Sequence, residues 1–393
     1  MTTPDFETIA EKLRQHLDSS RQNWLFGAGI SYSSNIPLMY PLTDRISKII
    51  HDSTDLKNIE IYDLLKTELE TKSHIEHYLS HLGDLIALAK RSKTKFAQIG
   101  SNLFTKDELL NLHGSIISSI GETVRYGYSN NGTTEIIGNS NNPIVEIDYH
   151  TKFVQAIYNN RANLTSRSKL TFFTTNYDTL LEDALGLEKF TVIDGFSGGA
   201  IGYWNPQIEF QDLNSLPNKC LLYKLHGSID WQRDKIKGLV RTRYGTKYLA
   251  DKSDIMIYPQ ATKYVETQKD PFSYLFHGFR NALNSPDDNV LITCGYSFGD
   301  EHINAEIEAA LTSRNNRTTL IAFIQENPDG IIKINKTIDE WIINEQFGNR
   351  IYVAGQKGVY YNSVTPLTPA SGKDLFWWTF SGLTNFIITN DYA

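Results

Sequence analysis

Short apolar, β-branched runs recur along this chain, and each is followed at once by a polar or glycine-bearing motif. Trp24-Leu25-Phe26 runs into Gly27-Ala28-Gly29-Ile30-Ser31, and residues 170–175 (LTFFTT) run into Asn176-Tyr177-Asp178. Residues 220–225 (CLLYKL) run into His226-Gly227-Ser228, and residues 289–294 (NVLITC) into Gly295-Tyr296-Ser297. Two further runs are 254–259 (DIMIYP) and 319–324 (TLIAFI), the second followed by Gln325-Glu326-Asn327. Helical patterns such as DTLLEDAL and DEHINAEIEAALTSR lie between several of them. Strands alternating with helices predict the α/β class with a parallel sheet. In open sheets of that class ligands bind beyond the carboxyl ends of the strands. Four strand ends are therefore expected to aim polar groups at one crevice.

The rest of the chain reads differently. Ile9, Leu13 and Leu17 repeat at helical spacing over residues 5–20. Residues 43–164 are mainly helical in pattern, with Thr105 and Glu108 placed as a capping box before LLNLHGSII. Residues 126–142 are rich in Gly, Asn, Ser and Thr and read as an exposed loop. The segment 331–393 is rich in Trp, Tyr and Phe and is expected to form a small strand-rich extension. The layout expected is 1–45 as the first part of a sheet domain, 46–165 as an inserted helical domain, 166–330 as the second part of the sheet domain, and 331–393 as a C-terminal extension and interface.

Composition excludes several classes. A chain of 393 residues buries a large core without covalent staples. Its two cysteines, Cys220 and Cys294, rule out a disulfide scaffold and a four-cysteine zinc ribbon. No long apolar run is present, so no membrane segment is expected, and the polar start MTTPDFETIAEKLRQ does not read as a targeting peptide; the expected location is the cytoplasm. The net charge of 38 − 45 = −7 argues against a broad nucleic-acid-binding surface.

Gly-Ala-Gly-Ile-Ser, then Thr174-x-Asn176-x-Asp178, then Lys224-Leu225-His226-Gly227-Ser228, then Gly295-Tyr296-Ser297, in that order, resemble the sirtuin family. The helical insertion after the first strand is similar to the sirtuin layout. GYSFGDEHIN (295–304) and Ile257-x-Pro259 look like the zinc-less bacterial NADases of antiphage defence, in particular the sirtuin-like subunit paired with a HerA-type ATPase. The resemblance covers about 20–50 and 168–327. It implies a Rossmann-like parallel sheet with an inserted helical domain and a small C-terminal extension. Two departures separate the chain from deacylase sirtuins. Residues 227–293 contain no cysteine, so the family's four-cysteine zinc module has no ligands there, and no zinc or other metal is expected. The family's Gly-Ile-Pro-Asp-Phe-Arg is replaced by Asn35-Ile36-Pro37-Leu38-Met39-Tyr40.

What the resemblance implies is cleavage of NAD, bound as substrate, to nicotinamide and ADP-ribose. Nicotinamide leaves as a neutral molecule, so the site needs to hold a pyrophosphate, orient a ribose and manage one proton near an oxocarbenium-like centre. By resemblance the catalytic residues are Asn176, His226 and Asp178. Gly27, Ala28, Gly29, Ser31, Thr175, Gly295 and Ser297 would bind the dinucleotide, with one of Gln325, Glu326 and Asn327 reaching the adenine ribose. The implied partners are a second copy of the chain and the ATPase, met through the helical insertion and the aromatic C-terminus. A deacylase or ADP-ribosyltransferase, and a non-catalytic NAD- or ADP-ribose-sensing scaffold, are the alternatives.

Other residues read as structural. Leu112-His113-Gly114 repeats the His-Gly pair inside a capped helix. Asp300, Glu301 and His302 read as the acidic start of a helix, with Asp300 a candidate to line the crevice. His74, His77 and His81 share a helix face but lack the glutamate of a metalloprotease motif. Phe376-Trp377-Trp378 reads as core or subunit interface.

Overall fold

The structure, a computed structural model, describes residues 4–161, 170–210, 218–234, 236–243, 254–257, 270–326 and 334–392. Eight strands form the large sheet: β1 (Gln22–Phe26), β2 (Leu170–Thr174), β3 (Thr191–Ile193), β4 (Lys219–Lys224), β5 (Asn289–Cys294), β6 (Thr318–Phe323), β7 (Ile351–Ala354) and β8 (Val359–Tyr360). Their order is β8-β7-β6-β5-β1-β2-β4-β3. All neighbours are parallel except β7 and β8. This is the doubly wound arrangement, with β3 added beyond β4, and its direction of winding reverses between β1 and β5. The α/β parallel sheet expected from the strand runs is therefore present.

The central strands are apolar along their whole length because helices cover both faces. Alternate residues of β1 divide between the two cores. Trp24 and Phe26 pack with Phe153, Phe172, Phe380 and Trp377 on one face. Leu25 packs with Phe173, Tyr223, Phe279 and Leu291 on the other. A fully buried ring of this kind contributes roughly 1.5–3 kcal/mol.

The strand ends are aligned. Lys224 pairs with Thr174, Thr174 with Phe26, Phe26 with Cys294, and Cys294 with Phe323. These five residues form one row across the sheet, and the polar motifs all begin just beyond it.

Between β1 and β2 lies a helical unit with its own core of Ile46, Leu65, Leu82, Leu112 and Ile116. Its longest helix, Lys106–Tyr126, starts with the capping box read from the sequence: Thr105 Oγ1 accepts from the Glu108 N–H at 3.2 Å, and Glu108 accepts from the Thr105 N–H at 2.8 Å. Residues 126–142 depart from the loop expected. Tyr128–Asn130 and Glu135–Ile137 pair as an antiparallel hairpin, hidden in the sequence because its residues are polar or exposed. The helix Asp148–Asn160 returns to the sheet, where Phe153 and Val154 pack against β1.

A second, antiparallel sheet has the order 254–257, 227–234, 238–242, 201–204, 196–198. Its strand 227–234 starts directly after His226. The C-terminal segment differs from a separate strand-rich extension. Its two strands, β7 and β8, complete the edge of the large sheet, and the helix Phe380–Thr389 packs beside Phe153. Trp377 is fully buried and donates to the Gly355 carbonyl at 2.8 Å, so it is core, whereas Phe376 is exposed. Among the described residues no helix is long and apolar enough to cross a membrane.

Candidate functional site at the strand ends

The winding reverses where two glycine turns meet. Gly27 donates to the Cys294 carbonyl at 3.2 Å, and Gly29 to the Gly295 carbonyl at 3.0 Å. Backbone lies on backbone here. A Cβ on Gly27 would sit 2.4 Å from the Gly295 oxygen, and one on Gly29 would sit 2.6 Å from the Gly295 Cα. Gly295 also has φ +65°, so all three positions exclude side chains. The chain after Gly27 forms a 3₁₀ helix, Ala28–Ser34, ended by Asn35 at φ 61°.

Ser31 is buried within that 3₁₀ helix. Its hydroxyl donates to Asp178 Oδ2 at 2.8 Å and accepts from Asn176 Nδ2 at 3.1 Å. The residue read as a phosphate contact is thus the link between the other two motif residues. Asp178 Oδ1 accepts from the Leu180 N–H at 3.0 Å, which closes the loop after β2 as an Asx turn. Asn176 is held by its own N–H, which donates to Thr174 Oγ1 at 3.0 Å. Its side-chain Oδ1 is buried and, among the described residues, has no hydrogen-bond partner. A buried amide oxygen without a partner costs free energy unless a ligand or water meets it.

The loops after β2 and β4 are joined to each other. The Leu225 N–H donates to the Thr174 carbonyl at 2.8 Å, and the Ile229 N–H to the Tyr177 carbonyl at 3.0 Å. Asn176 and His226 each lie two residues past the paired positions Thr174 and Lys224. His226 is 3% exposed, and Gly227 behind it takes φ +85° to turn into the second sheet.

Asp300 opens a helix, as the sequence reading has it. It sits at the N-cap of the helix Glu301–Thr312, but its side chain makes no capping hydrogen bond. Its Oδ1 lies 3.6 Å from His226 Nε2 instead. The His302 ring, on the first turn of that helix, is 6.1 Å from the His226 ring and 5.3 Å from the Phe276 ring.

His150 was missed by the sequence reading, and no motif marks it. It is fully buried, its Nδ1 is 3.4 Å from Ser34 Oγ, and its ring packs on Phe380 at 5.0 Å. Burial pushes its pKa down to about 4, opposed by the negative charge of Asp178. Lys224 carries a second buried device. Its Nζ donates to the Asp178 carbonyl and, at 2.8 Å, to Glu182 Oε1. Burial pushes Glu182 up to about 7, with Lys224 and Arg243 opposing.

The remaining expected positions separate. The Thr175 N–H donates to the Phe26 carbonyl at 3.0 Å, while Ser297 is exposed and its carbonyl accepts from Asn335 Nδ2 at 3.0 Å. Glu326 accepts from Tyr360 Oη at 2.7 Å and from the Lys357 N–H at 3.1 Å, so its carboxylate holds the turn before β8. Asn327 and the 258–259 part of the Ile-x-Pro motif lie outside the described residues. Cys220 and Cys294 are buried in strands with thiols raised to about 12, so neither is a nucleophile. The trio His74, His77 and His81 is used locally: His77 Nδ1 accepts from the His74 N–H at 3.1 Å, and His81 Nε2 is 2.8 Å from Glu68.

A doubly wound sheet, glycine turns touching at its switch point and buried Asn, Asp and His side chains beyond the strand ends define an α/β protein with a cluster of buried polar groups at its switch point. Residues 170–345 match the family model of the SIR2-like domain, which supports a sirtuin-like family. Among solved structures, the chain is similar to a Sir2 homolog crystallised as an NAD complex, at 14% identity, with 81% of this chain and 82% of that chain covered and a TM-score of 0.36. No curated protein matches the chain.

Proposed function

We propose that the protein is an NAD glycohydrolase that releases nicotinamide and ADP-ribose. The observation that carries this reading is the buried, unpartnered Oδ1 of Asn176, placed on a loop hydrogen-bonded to the loop of His226. A ribose hydroxyl or a water is the partner that such an oxygen lacks. The SIR2-like match over 170–345 supports NAD as the dinucleotide.

Each residue has a task in that chemistry. The glycine turns of 27–29 and 295 pack backbone on backbone and form the floor on which a pyrophosphate would lie. Asn176 orients the nicotinamide ribose or the attacking water. Positive charge on the ribose ring grows as the glycosidic bond breaks, and the leaving group needs no proton. His226 takes the proton released by water or by a ribose hydroxyl, with Asp300 placed to stabilise the imidazolium that forms. Asp178 holds Ser31 and through it the Asn176 amide.

The resemblance of GYSFGDEHIN (295–304) to the defence branch extends the proposal to an antiphage effector that depletes NAD as an oligomer with a HerA-type ATPase. The test is nicotinamide release by purified protein, alone and with that ATPase. Asn176→Ala and His226→Ala should each lower turnover by about 100-fold or more while the protein stays folded. Unchanged turnover in both variants would refute the site. Modified protein or O-acyl-ADP-ribose in place of free ADP-ribose would refute hydrolysis.

A further inference from the structure

We propose that His226, Asp300 and His302 form a site for a divalent transition-metal ion of the zinc type, and that an ion bound there stops NAD cleavage. The second half rests on the function proposed above; the first half does not.

Among the described residues, one ligand atom from each of these three side chains lies within 4.8 Å of the other two. The His226 Nε2 and Asp300 Oδ1 pair is already at 3.6 Å. Ligand atoms on a tetrahedral zinc, with bonds of about 2.0–2.2 Å, stand about 3.3–3.5 Å apart. Two ligands are thus near their places, and the His302 ring has to close by roughly 1 Å to complete a three-ligand face. That ring is only half-buried, on the first turn of its helix, against Phe276.

The Asp300 carboxylate is turned away from its own helix. An aspartate at an N-cap ordinarily accepts from the N–H groups of the first helical turn. Asp300 has the position and makes no such bond. His226 and Asp300 are 3% and 7% exposed, so an ion here would be bound in a largely dry cleft, where charge interactions are strong. Two neutral imidazoles and one carboxylate leave a divalent ion with a net charge of +1 and room for one further ligand. Imidazole donors favour zinc and its transition-metal neighbours over magnesium and calcium. This site is unrelated to a cysteine module.

Inhibition follows from electron pairs. The Nε2 lone pair of His226 that would accept a proton during NAD cleavage is the one an ion would occupy. Binding requires the neutral imidazole and releases any proton it carries. Nothing is oxidised or reduced, and removal of the ion by a chelator restores the free base.

The test uses full-length, tag-free protein. Co2+ is titrated while its visible absorption is followed, and Zn2+ is titrated by calorimetry. One equivalent should bind, with affinity lowered by about tenfold or more in His302→Ala and Asp300→Asn. In parallel, Zn2+ should suppress nicotinamide release in the wild type, with recovery on adding EDTA. His302→Ala should keep its zinc-free turnover and need about tenfold more Zn2+ for half-inhibition. No saturable binding, or binding equal in the wild type and both variants, overturns the site. Binding that leaves turnover unaffected overturns the inhibitory role. Binding lost in the variants of a protein without NAD turnover would uphold the site and refute the function instead.

Discussion

The Ser31 hydroxyl donates to Asp178 across 147 positions of sequence and at the same time accepts from Asn176. One small side chain on the turn after β1 thereby sets two side chains on the loop after β2. Ser31→Ala removes both bonds and leaves Asp178 Oδ2 and the Asn176 amide to find new partners. A lost hydrogen bond to a charged group costs about 1.5–3 kcal/mol. If Asn176 acts on the ribose, NAD turnover in Ser31→Ala should fall by roughly 10–100-fold, read as kcat more than KM. Turnover equal to wild type would show that Asn176 does not need this anchor.

Gly295 tests the contact between the two glycine turns. Its φ of +65° and the 2.5 Å approach of a Cβ to the Ile30 nitrogen both oppose a side chain. Gly295→Ala should lower the urea midpoint by an amount equivalent to about 3 kcal/mol, strain and overpacking together. Gly83, inside the helix Ile75–Arg91 with open space around it, is the control. There alanine should be neutral or stabilising by up to about 1 kcal/mol.

His150 makes stability pH-dependent. Its folded pKa of about 4 lies below the ordinary 6.5, so the unfolded chain binds more protons between those values. The contribution is whole above pH 6.5 and is lost as pH falls towards 4, amounting to roughly 3 kcal/mol. Melting temperatures of wild type and His150→Asn, followed from pH 7.5 to pH 4.5, should converge in acid. Parallel curves would show that His150 does not titrate there.

Lys224 and Glu182 form a buried pair with side chains 2% and 5% exposed. Lys224→Met strands the Glu182 carboxyl and should cost about 3–5 kcal/mol, measured by denaturant unfolding. Because Glu182 already titrates near 7, the loss should be larger at pH 8 than at pH 5.5. Adding Glu182→Gln should recover part of it; no recovery would mean that Lys224 acts through the Asp178 carbonyl alone.

Much of this was legible in the sequence, for a physical reason. A parallel sheet covered on both faces needs unbroken apolar runs, so β1, β2, β4, β5 and β6 announce themselves, and the polar motifs after them mark the crevice. The placement of Asn176, Asp178 and His226 beyond the strand ends could be read this way, because each lies within four residues of the last residue of its strand. The orientation of Ser31 could not, since it depends on a 3₁₀ turn instead of the helix that a glycine motif suggests. At Asp300 the helix start was legible, whereas its approach to His226 depends on how two distant loops meet. His150 was hidden more deeply, because nothing within its own helix says that Ser34 and Phe380 will meet it.

The shared row formed by Lys224, Thr174, Phe26, Cys294 and Phe323 makes the crevice sensitive to chain length in a position-dependent way. Adding one residue within β2 would turn every later side chain of that strand to the opposite face, carrying Asn176 out of reach of Ser31. The same addition at Gly132, in the exposed hairpin tip, would be absorbed locally. Length variation in descendants of this chain should therefore collect in the helical unit and its hairpin, and the five strands should keep constant spacing to their motifs.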